Sequence, residues 1–411
     1  MTTVGAPDTT PDSGERAKQA RAFVVLMGVV ALFGDLTYEG ARGLVGPYLA
    51  LLGASAAAVG FAAGLGEFLG YGLRLITGWW GDRTRAYWPL VILGYGINLV
   101  AVPGLALVGS WEAAVALLLL ERVGKAIRSP ARSTLVSYAA SSAGAGKSFG
   151  LEEALDQIGA VLGPLLTALA IWVLRAEPVT TQYRAAFLVL LLPVLLNLAL
   201  VLKARARFPR PETLEPSGHH DHPRLGGLFR WYLAGAMFMA LGFADWALVA
   251  FHASHTGVLE IGALPLLYAG AMALDALSAL AFGVLFDRYG VLVLAGTTAL
   301  SALFAPFIFL VPSKGLLVVG AACWALGMGA QDSIFKAAIA KLVPKEERGR
   351  AYGSFFALFG LAWWVGSTTM GWLYEASITT LVAFSVVTQL LAVPVFLFVG
   401  LRLRRYERER G

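Results

Sequence analysis

The sequence predicts an all-α membrane protein of twelve transmembrane helices, set in two pseudo-symmetric six-helix bundles. Three observations carry that prediction. The 411-residue chain is 58% hydrophobic and only 14% charged, against about 25% charged in an ordinary soluble domain, and its mean hydropathy is +0.70. Turn signals and charge clusters cut it into twelve apolar runs, each near or above the roughly 20 residues that a spanning helix needs. The chain also repeats. Gly78-Trp79-Trp80-Gly81-Asp82-Arg83 returns 205 residues later as Gly283-Val284-Leu285-Phe286-Asp287-Arg288. Gly124, Arg128, Gly146, Lys147, Gly150 and Gly163 return as Gly327, Gln331, Gly349, Arg350, Gly353 and Gly366, all 203 residues on. One membrane half written twice describes a carrier whose pathway lies between the halves.

In chain order, the spans are expected at 22–52, 57–80, 87–109, 111–136, 147–175, 182–204, 228–255, 261–285, 290–311, 315–342, 348–375 and 377–402. Helices are required because lipid cannot satisfy open backbone groups, and the period-two alternation of a membrane barrel is missing. Residues 1–21 are polar and read as a cytoplasmic tail. No cleavable signal peptide is expected, since the first apolar run is too long for a signal core. Residues 22–204 form the N-terminal bundle and 228–402 the C-terminal one. Between them, 205–227 is a cytoplasmic linker rich in Arg and Pro, and 403–411 is a second tail.

Basic residues set the orientation. Of 32 Lys and Arg, 24 fall on one side, three (Arg175, Arg184, Lys314) on the other, and five (Arg42, Arg74, Arg122, Lys125, Lys336) within spans. Both termini are therefore expected to be cytoplasmic. The pI near 9.4 reflects a basic rim facing lipid headgroups and does not imply nucleic acid. A lone Cys323 excludes an internal disulfide or cysteine metal cluster. His219-His220-Asp221-His222 has metal-binding chemistry but reads as a solvated linker with incidental histidines. His252 and His255 would need ligands from other helices to hold a metal, and read as polar residues at the extracellular end.

An ionisable group at mid-membrane costs about 2.5–3.5 kcal/mol on insertion scales, so it should face a partner or a wet cavity. Asp35, Glu39 and Arg42 form one stripe at i, i+4, i+7, flanked by Tyr38. Two carboxylates one turn apart repel when both are charged, which suits exchange of a proton for a substrate, although Arg42 opposes it. A structural salt bridge is the plainer alternative. In span four, Glu121, Lys125, Arg128 and Arg132 share a stripe with Arg122 to its side, opposite Glu152, Glu153 and Asp156 of span five. Arg128, Arg132, Glu152 and Glu153 are expected to pair, leaving the deeper Arg122 and Asp156 for function. Glu67 and Arg74 are expected to pair at i+7. The second half adds Asp245, Asp275, Gln331, Asp332 and Lys336, the last two spaced as an i, i+4 pair. Trp79, Trp80, Trp88, Trp111, Trp231 and Trp372 suit an interfacial belt, whereas Trp363 and Trp364 lie deeper, against substrate or lipid.

At Gly78–Arg83 and Gly283–Arg288 the chain resembles the major facilitator superfamily, with its Gly-x-x-x-Asp-Arg-x-Gly motif. The second copy has Gly283, Asp287, Arg288 and Gly290, and the first carries Arg85 in place of the last glycine. The resemblance implies a gating role for Asp82, Arg83, Asp287 and Arg288. Gly159-Ala160-Val161-Leu162-Gly163-Pro164 is similar to a Gly-x-x-x-Gly-Pro motif of the drug:proton antiporter branch, although Leu165-Leu166-Thr167-Ala168 replaces its further glycines. Gly159 and Gly163 share a face that permits close helix approach, and Pro164 permits bending. Arg122 is similar to a mid-helix arginine of the same branch.

These resemblances imply a secondary transporter, with proton-coupled efflux of small amphipathic or cationic compounds by alternating access in a prokaryotic inner membrane. Asp35, Glu39, Arg42, Arg122, Asp156, Asp245, Gln331 and Asp332 are the candidate coupling and substrate residues. The expected partners are a small-molecule substrate, protons and the lipid bilayer, with the chain working as a monomer and no cofactor. The rivals are an importer of an organic anion clamped by Arg42, Arg122 and Lys125, and a lipid or metal-ion carrier. A membrane enzyme or sensor is not expected, because no nucleophile stands beside an oriented base and the tails are too short for a soluble output domain.

Overall fold

A computed structural model describes residues 13–143, 145–211, 226–343 and 348–408. The histidine cluster at 219–222 and most of the linker and tails lie outside them. The first half runs through α1 (Ser13–Leu51), α2 (Ala56–Thr84), α3 (Tyr87–Gly104) with a 3-10 turn at Leu105–Leu107, α4 (Trp111–Ala143), α5 (Ala145–Val173), α6 (Val179–Val189) and α7 (Leu191–Arg207). The second half continues with α8 (Gly226–Gly242), α9 (Trp246–His255), α10 (Ala263–Tyr289), α11 (Leu292–Ser301), α12 (Phe304–Phe309), α13 (Lys314–Leu342), α14 (Arg348–Ala376) and α15 (Ile378–Arg408). Every predicted run is mostly helical.

Among the described residues, ten helical stretches are long and apolar enough to cross a membrane. The exceptions are α4 and α14, of 33 and 29 residues, both longer than a bilayer core requires. In α4 the shortfall comes from Glu121, Arg122, Lys125, Arg128 and Arg132; in α14 apolarity is diluted by Gly, Ser, Thr and Trp.

Three expected spans break into two helices. Val189 ends α6 four residues before Pro193, and Ala302 follows α11 four residues before Pro306. In each case the proline ring clashes with the carbonyl four residues back and lacks the amide to bond it. Between α8 and α9 the chain leaves helix at Phe243–Asp245, and Asp245 caps α9 by accepting from the Ala247 amide at 2.9 Å.

The sequence repeat has a counterpart in packing. A Cβ added at Gly163 would collide with the Leu36 carbonyl on α1, and one at Gly366, 203 residues on, with the Leu241 carbonyl on α8. Asn197 on α7 donates to the Val30 carbonyl, and Gln389 on α15 donates to the Gly242 carbonyl at 3.1 Å. Both halves thus pin their first helix from the same two sides.

Contacts between helix ends define two ends of the molecule. At the terminal end Trp88 Nε1 donates to the Phe208 carbonyl at 3.2 Å, and Arg404 to the Arg288 carbonyl at 3.3 Å. At the distal end Tyr48 Oη donates to the Leu105 carbonyl at 2.7 Å, and the Ala57 amide to Glu375 Oε1 at 2.9 Å. The last contact joins the halves. So do the stacked rings of Phe68 and Trp364, 5.5 Å apart, and of Tyr71 and Phe356, 5.4 Å apart. Two aromatic expectations need correcting. Trp88 is buried, because its indole is committed to Phe208. Trp363 is buried against Phe243 and Phe359 inside the second half, and the half-buried Trp364 packs against Phe61 and Phe68 in the α2–α14 seam.

Candidate functional site

Helix α1 is the axis of the site. Arg42, 9% exposed, reaches from it to both halves of the chain. Its Nη2 lies 3.2 Å from Glu67 Oε1 on α2 and 3.2 Å from Asp245 Oδ2 at the head of α9. Its Nη1 is 4.0 Å from Glu39. Glu67 Oε1 is shared with Arg122 of α4 at 3.0 Å, and Arg122 Nε lies 3.7 Å from Glu121. Glu39 in turn accepts a short hydrogen bond from the Tyr268 hydroxyl on α10. Arg42–Asp245 and Glu39–Tyr268 are therefore two polar ties between the halves, side by side.

Tyr38 organises the cations. Lys125 Nζ sits 3.8 Å from its ring centroid, the Arg122 guanidinium 4.7 Å and that of Arg42 5.8 Å. The negative face of the ring attracts all three, and the carboxylates of Glu67, Glu121 and Asp245 offset their mutual repulsion. Tyr38, Arg42, Gly66, Glu121, Arg122 and Asp245 line a cavity of about 50 Å³. That holds a few waters, each needing at least ~10–15 Å³, and is too small for a substrate.

A second cluster lies nearer the terminal end. Arg132 bonds Glu152 at 3.1 Å, Asp156 at 3.2 Å and the Tyr95 hydroxyl at 3.4 Å. Asp156 is thus a partner of Arg132, not a lone deep acid. Arg128 pairs with no acid among the described residues; it donates to Asn98 at 3.2 Å and lies 4.7 Å over Tyr95. Two further pairings differ from expectation. Glu67 turns to Arg42 and Arg122, while Arg74 lies over Tyr71 at 5.0 Å. Asp332 and Lys336 form no ion pair within 4.0 Å, and both are exposed. Spacing along one helix fixes which residues share a face, but the neighbouring helix supplies the closer partner.

Between the two clusters stands Asp35. It is half-buried and makes no hydrogen bond or ion pair among the described residues. Its electrostatic neighbours are Asp156, Lys125, Glu39 and Arg132. In the second half, Asp275 and Gln331 are 3% and 5% exposed, with Asp275 Oδ1 and Gln331 Nε2 unpartnered. Asp332 faces the charges of Glu153, Lys336, Glu39 and Lys125. Exposure of Asp332, Lys336 and Glu153 on helices that carry membrane spans marks a wet crevice.

The repeated motifs stay within their own halves. Asp82 accepts from the Tyr87 hydroxyl at 3.1 Å, and Arg83 lies over Trp79 at 5.4 Å. Arg288 lies over Tyr289 at 5.3 Å, and among the described residues Asp287 makes no ion pair. Both motifs end at a positive φ, but in different conformations: Arg85 is left-handed (φ 52°, ψ 21°), and Gly290 (φ 62°, ψ −148°) takes a conformation open essentially to glycine. The first copy, lacking the glycine, thus ends its helix in a different turn, one that a side chain can adopt at a cost of about 1–2 kcal/mol. Gly159 and Gly163 press α5 onto the α1 backbone at Leu32 and Leu36, with Pro164 beside them inside the unbroken helix.

Sequence reasoning missed Glu121, Tyr268 and the hub role of Tyr38. One available signal was passed over: Arg42 and Asp245 are 203 residues apart, the offset of the repeat, so equivalent positions of the two halves meet and bond.

Apolar helices enclosing ion pairs that join two similarly packed halves define a multi-pass membrane protein. Residues 228–411 match the sequence profile of the Major Facilitator Superfamily. An uncharacterized protein of Mycobacterium tuberculosis is 41% identical over 394 residues, 94% of each chain. An uncharacterized transporter of the same superfamily type from Methanocaldococcus jannaschii is 26% identical over 382 residues, 89% of this chain and 92% of the relative. A bacterial homolog of the human lysosomal transporter Spinster, solved inward-facing and unoccupied, superposes with a TM-score of 0.69 at 16% identity, covering 94% and 98% of the two chains. The chain belongs to the major facilitator superfamily, and it is a transporter of that superfamily.

Proposed function

We propose that the protein is a proton-coupled exporter of small amphipathic or cationic compounds in a prokaryotic inner membrane. In this reading the chain crosses the membrane twelve times and works as a monomer. Residues 22–204 and 228–402 form two six-helix bundles that rock against each other, parting and re-forming the α1–α9 contact, with 205–227 and the tails 1–21 and 403–411 cytoplasmic. The matched packing at Gly163 and Gly366 supports two equivalent bundles, and the crowding of Lys and Arg toward the terminal end supports that orientation.

The observation that carries the proposal is Asp35. An acid at this depth with no bonded partner, beside another acid and a lysine, is placed to take up and release a proton as the cavity changes face. Charge on Asp35 would favour one arrangement of the neighbouring ties and neutrality another, which is the differential that coupling requires. Asp156, Asp332 and Gln331 line the route toward the terminal end, with Asp82, Arg83, Asp287 and Arg288 as latches engaged in another conformation.

The test is reconstitution into liposomes with an imposed pH gradient, against a panel of dyes, drugs, organic anions and divalent metals. Asp35→Asn is expected to keep downhill substrate exchange and to lose at least about tenfold of gradient-driven accumulation, a step of ~1.4 kcal/mol. Intact coupling in Asp35→Asn would remove Asp35 from the mechanism. Lys125 favours a second reading, import of an organic anion, because its ammonium is held by a ring and, among the described residues, by no carboxylate within ion-pair distance. That reading predicts pH-independent anion uptake abolished by Lys125→Ala and Arg122→Gln.

A further inference from the structure

At the terminal end of the second half, α8 and α15 pack tightly deep in the membrane, where Gly235 lies against Phe396, and then leave a cavity of about 470 Å³. Its lining includes Leu228, Trp231, Phe398, Arg402, Arg405 and Tyr406. Its size is within the roughly 300–1,000 Å³ of small-molecule sites. The deeper wall is apolar: the Trp231 and Phe398 rings meet edge to face at 5.7 Å and are 54% and 42% exposed. The outer wall is basic. Arg402 lies 6.0 Å over Phe398, is exposed, and makes no ion pair among the described residues. Arg405, which has contacts of its own, follows one turn later, and no acid is among the described lining residues.

The geometry points to a binding site for one anionic phospholipid, its phosphate on Arg402 and Arg405 and its first methylenes along Trp231 and Phe398. Guanidinium groups match phosphate oxygens in charge and shape. A Trp on α8 and two Arg on α15, at the same end of the molecule, mark headgroup level. The exposed rings need an acyl chain to cover them, which a soluble phosphate lacks. A zwitterionic headgroup offers no net charge to the arginines. The site is on the outer flank of the bundle, and it stands or falls independently of the transported substrate.

Native mass spectrometry of the full-length protein, stripped of lipid and titrated with phosphatidylglycerol, phosphatidylcholine or inorganic phosphate, tests this. One phosphatidylglycerol is expected to bind in preference to phosphatidylcholine. Arg402→Gln should weaken it about fivefold, and Arg402→Gln with Arg405→Gln about 25-fold, on the scale of ~1 kcal/mol per basic residue at a membrane surface. Phe398→Ala should weaken it too, while Arg205→Gln with Arg207→Gln, exposed at the same end on α7, should not. Equal binding of phosphatidylcholine, unchanged binding in the Arg402 variants, or displacement by millimolar inorganic phosphate would each overturn the assignment.

Discussion

Arg42→Ala is expected to cost more stability than any other single change in the membrane interior. Its guanidinium serves Glu67, Asp245 and, at longer range, Glu39. Without it Glu67 keeps Arg122, but Asp245, 2% exposed, keeps only the amide at the start of α9. Breaking a buried pair from one side costs about 3–5 kcal/mol, because the remaining charge is stranded. Asp245→Asn should be milder. The amide can still cap α9, and Arg42 still has Glu67. Adding Asp245→Asn to Arg42→Ala should therefore recover part of the loss, a coupling read from the double-mutant cycle. Thermal unfolding in detergent measures the stability, and liposome transport is expected to be absent in Arg42→Ala. A variant as stable as wild type would mean that the buried bridge does not hold the halves together.

Gly46→Val is the second large expected effect, and it separates closure from folding. Helix α1 crosses α9 at Gly46, where an added Cβ would collide with the Ala247 carbonyl. Neither half folds around this contact, since α1 belongs to one and α9 to the other. The variant should therefore be well folded, yet unable to shut the distal end. Transport is expected to be lost, while the helical circular dichroism signal and monodispersity stay at wild-type levels. Bulk placed at Gly163 instead strikes α1 within its own half and is expected to lower stability. Wild-type transport in Gly46→Val would show that close α1–α9 approach is not part of the cycle.

Much of the fold was legible because lipid permits few alternatives. Each apolar run became helix, and its ends followed charge clusters and turns to within several residues. The internal breaks at Val189 and Ala302 were readable from Pro193 and Pro306, but the break ahead of Asp245 was not, since it depends on the carboxylate capping α9 and meeting Arg42. The site was legible in membership more than in connection. Asp35, Glu39, Arg42, Arg122 and Asp245 all stand out as charges inside apolar runs. Their partners lie on other helices, so i, i+4 and i+7 spacing misassigned Glu67 to Arg74 and Asp332 to Lys336. Tyr268 gave no signal and Tyr38 only its place beside the charged stripe, because a tyrosine in a membrane helix is ordinary until the cations or carboxylate beside it are known.

The central claim is that the two halves separate at the distal end when the ties made by Arg42 and Glu39 are released. Spin labels at Leu51→Cys, closing α1, and Glu260→Cys, between α9 and α10, in a Cys323→Ser background, measure that separation by double electron–electron resonance. The account predicts two distance populations in wild type, with the longer one growing on protonation and dominating in Gly46→Val. A single distance, unchanged by pH and by Gly46→Val, would contradict it.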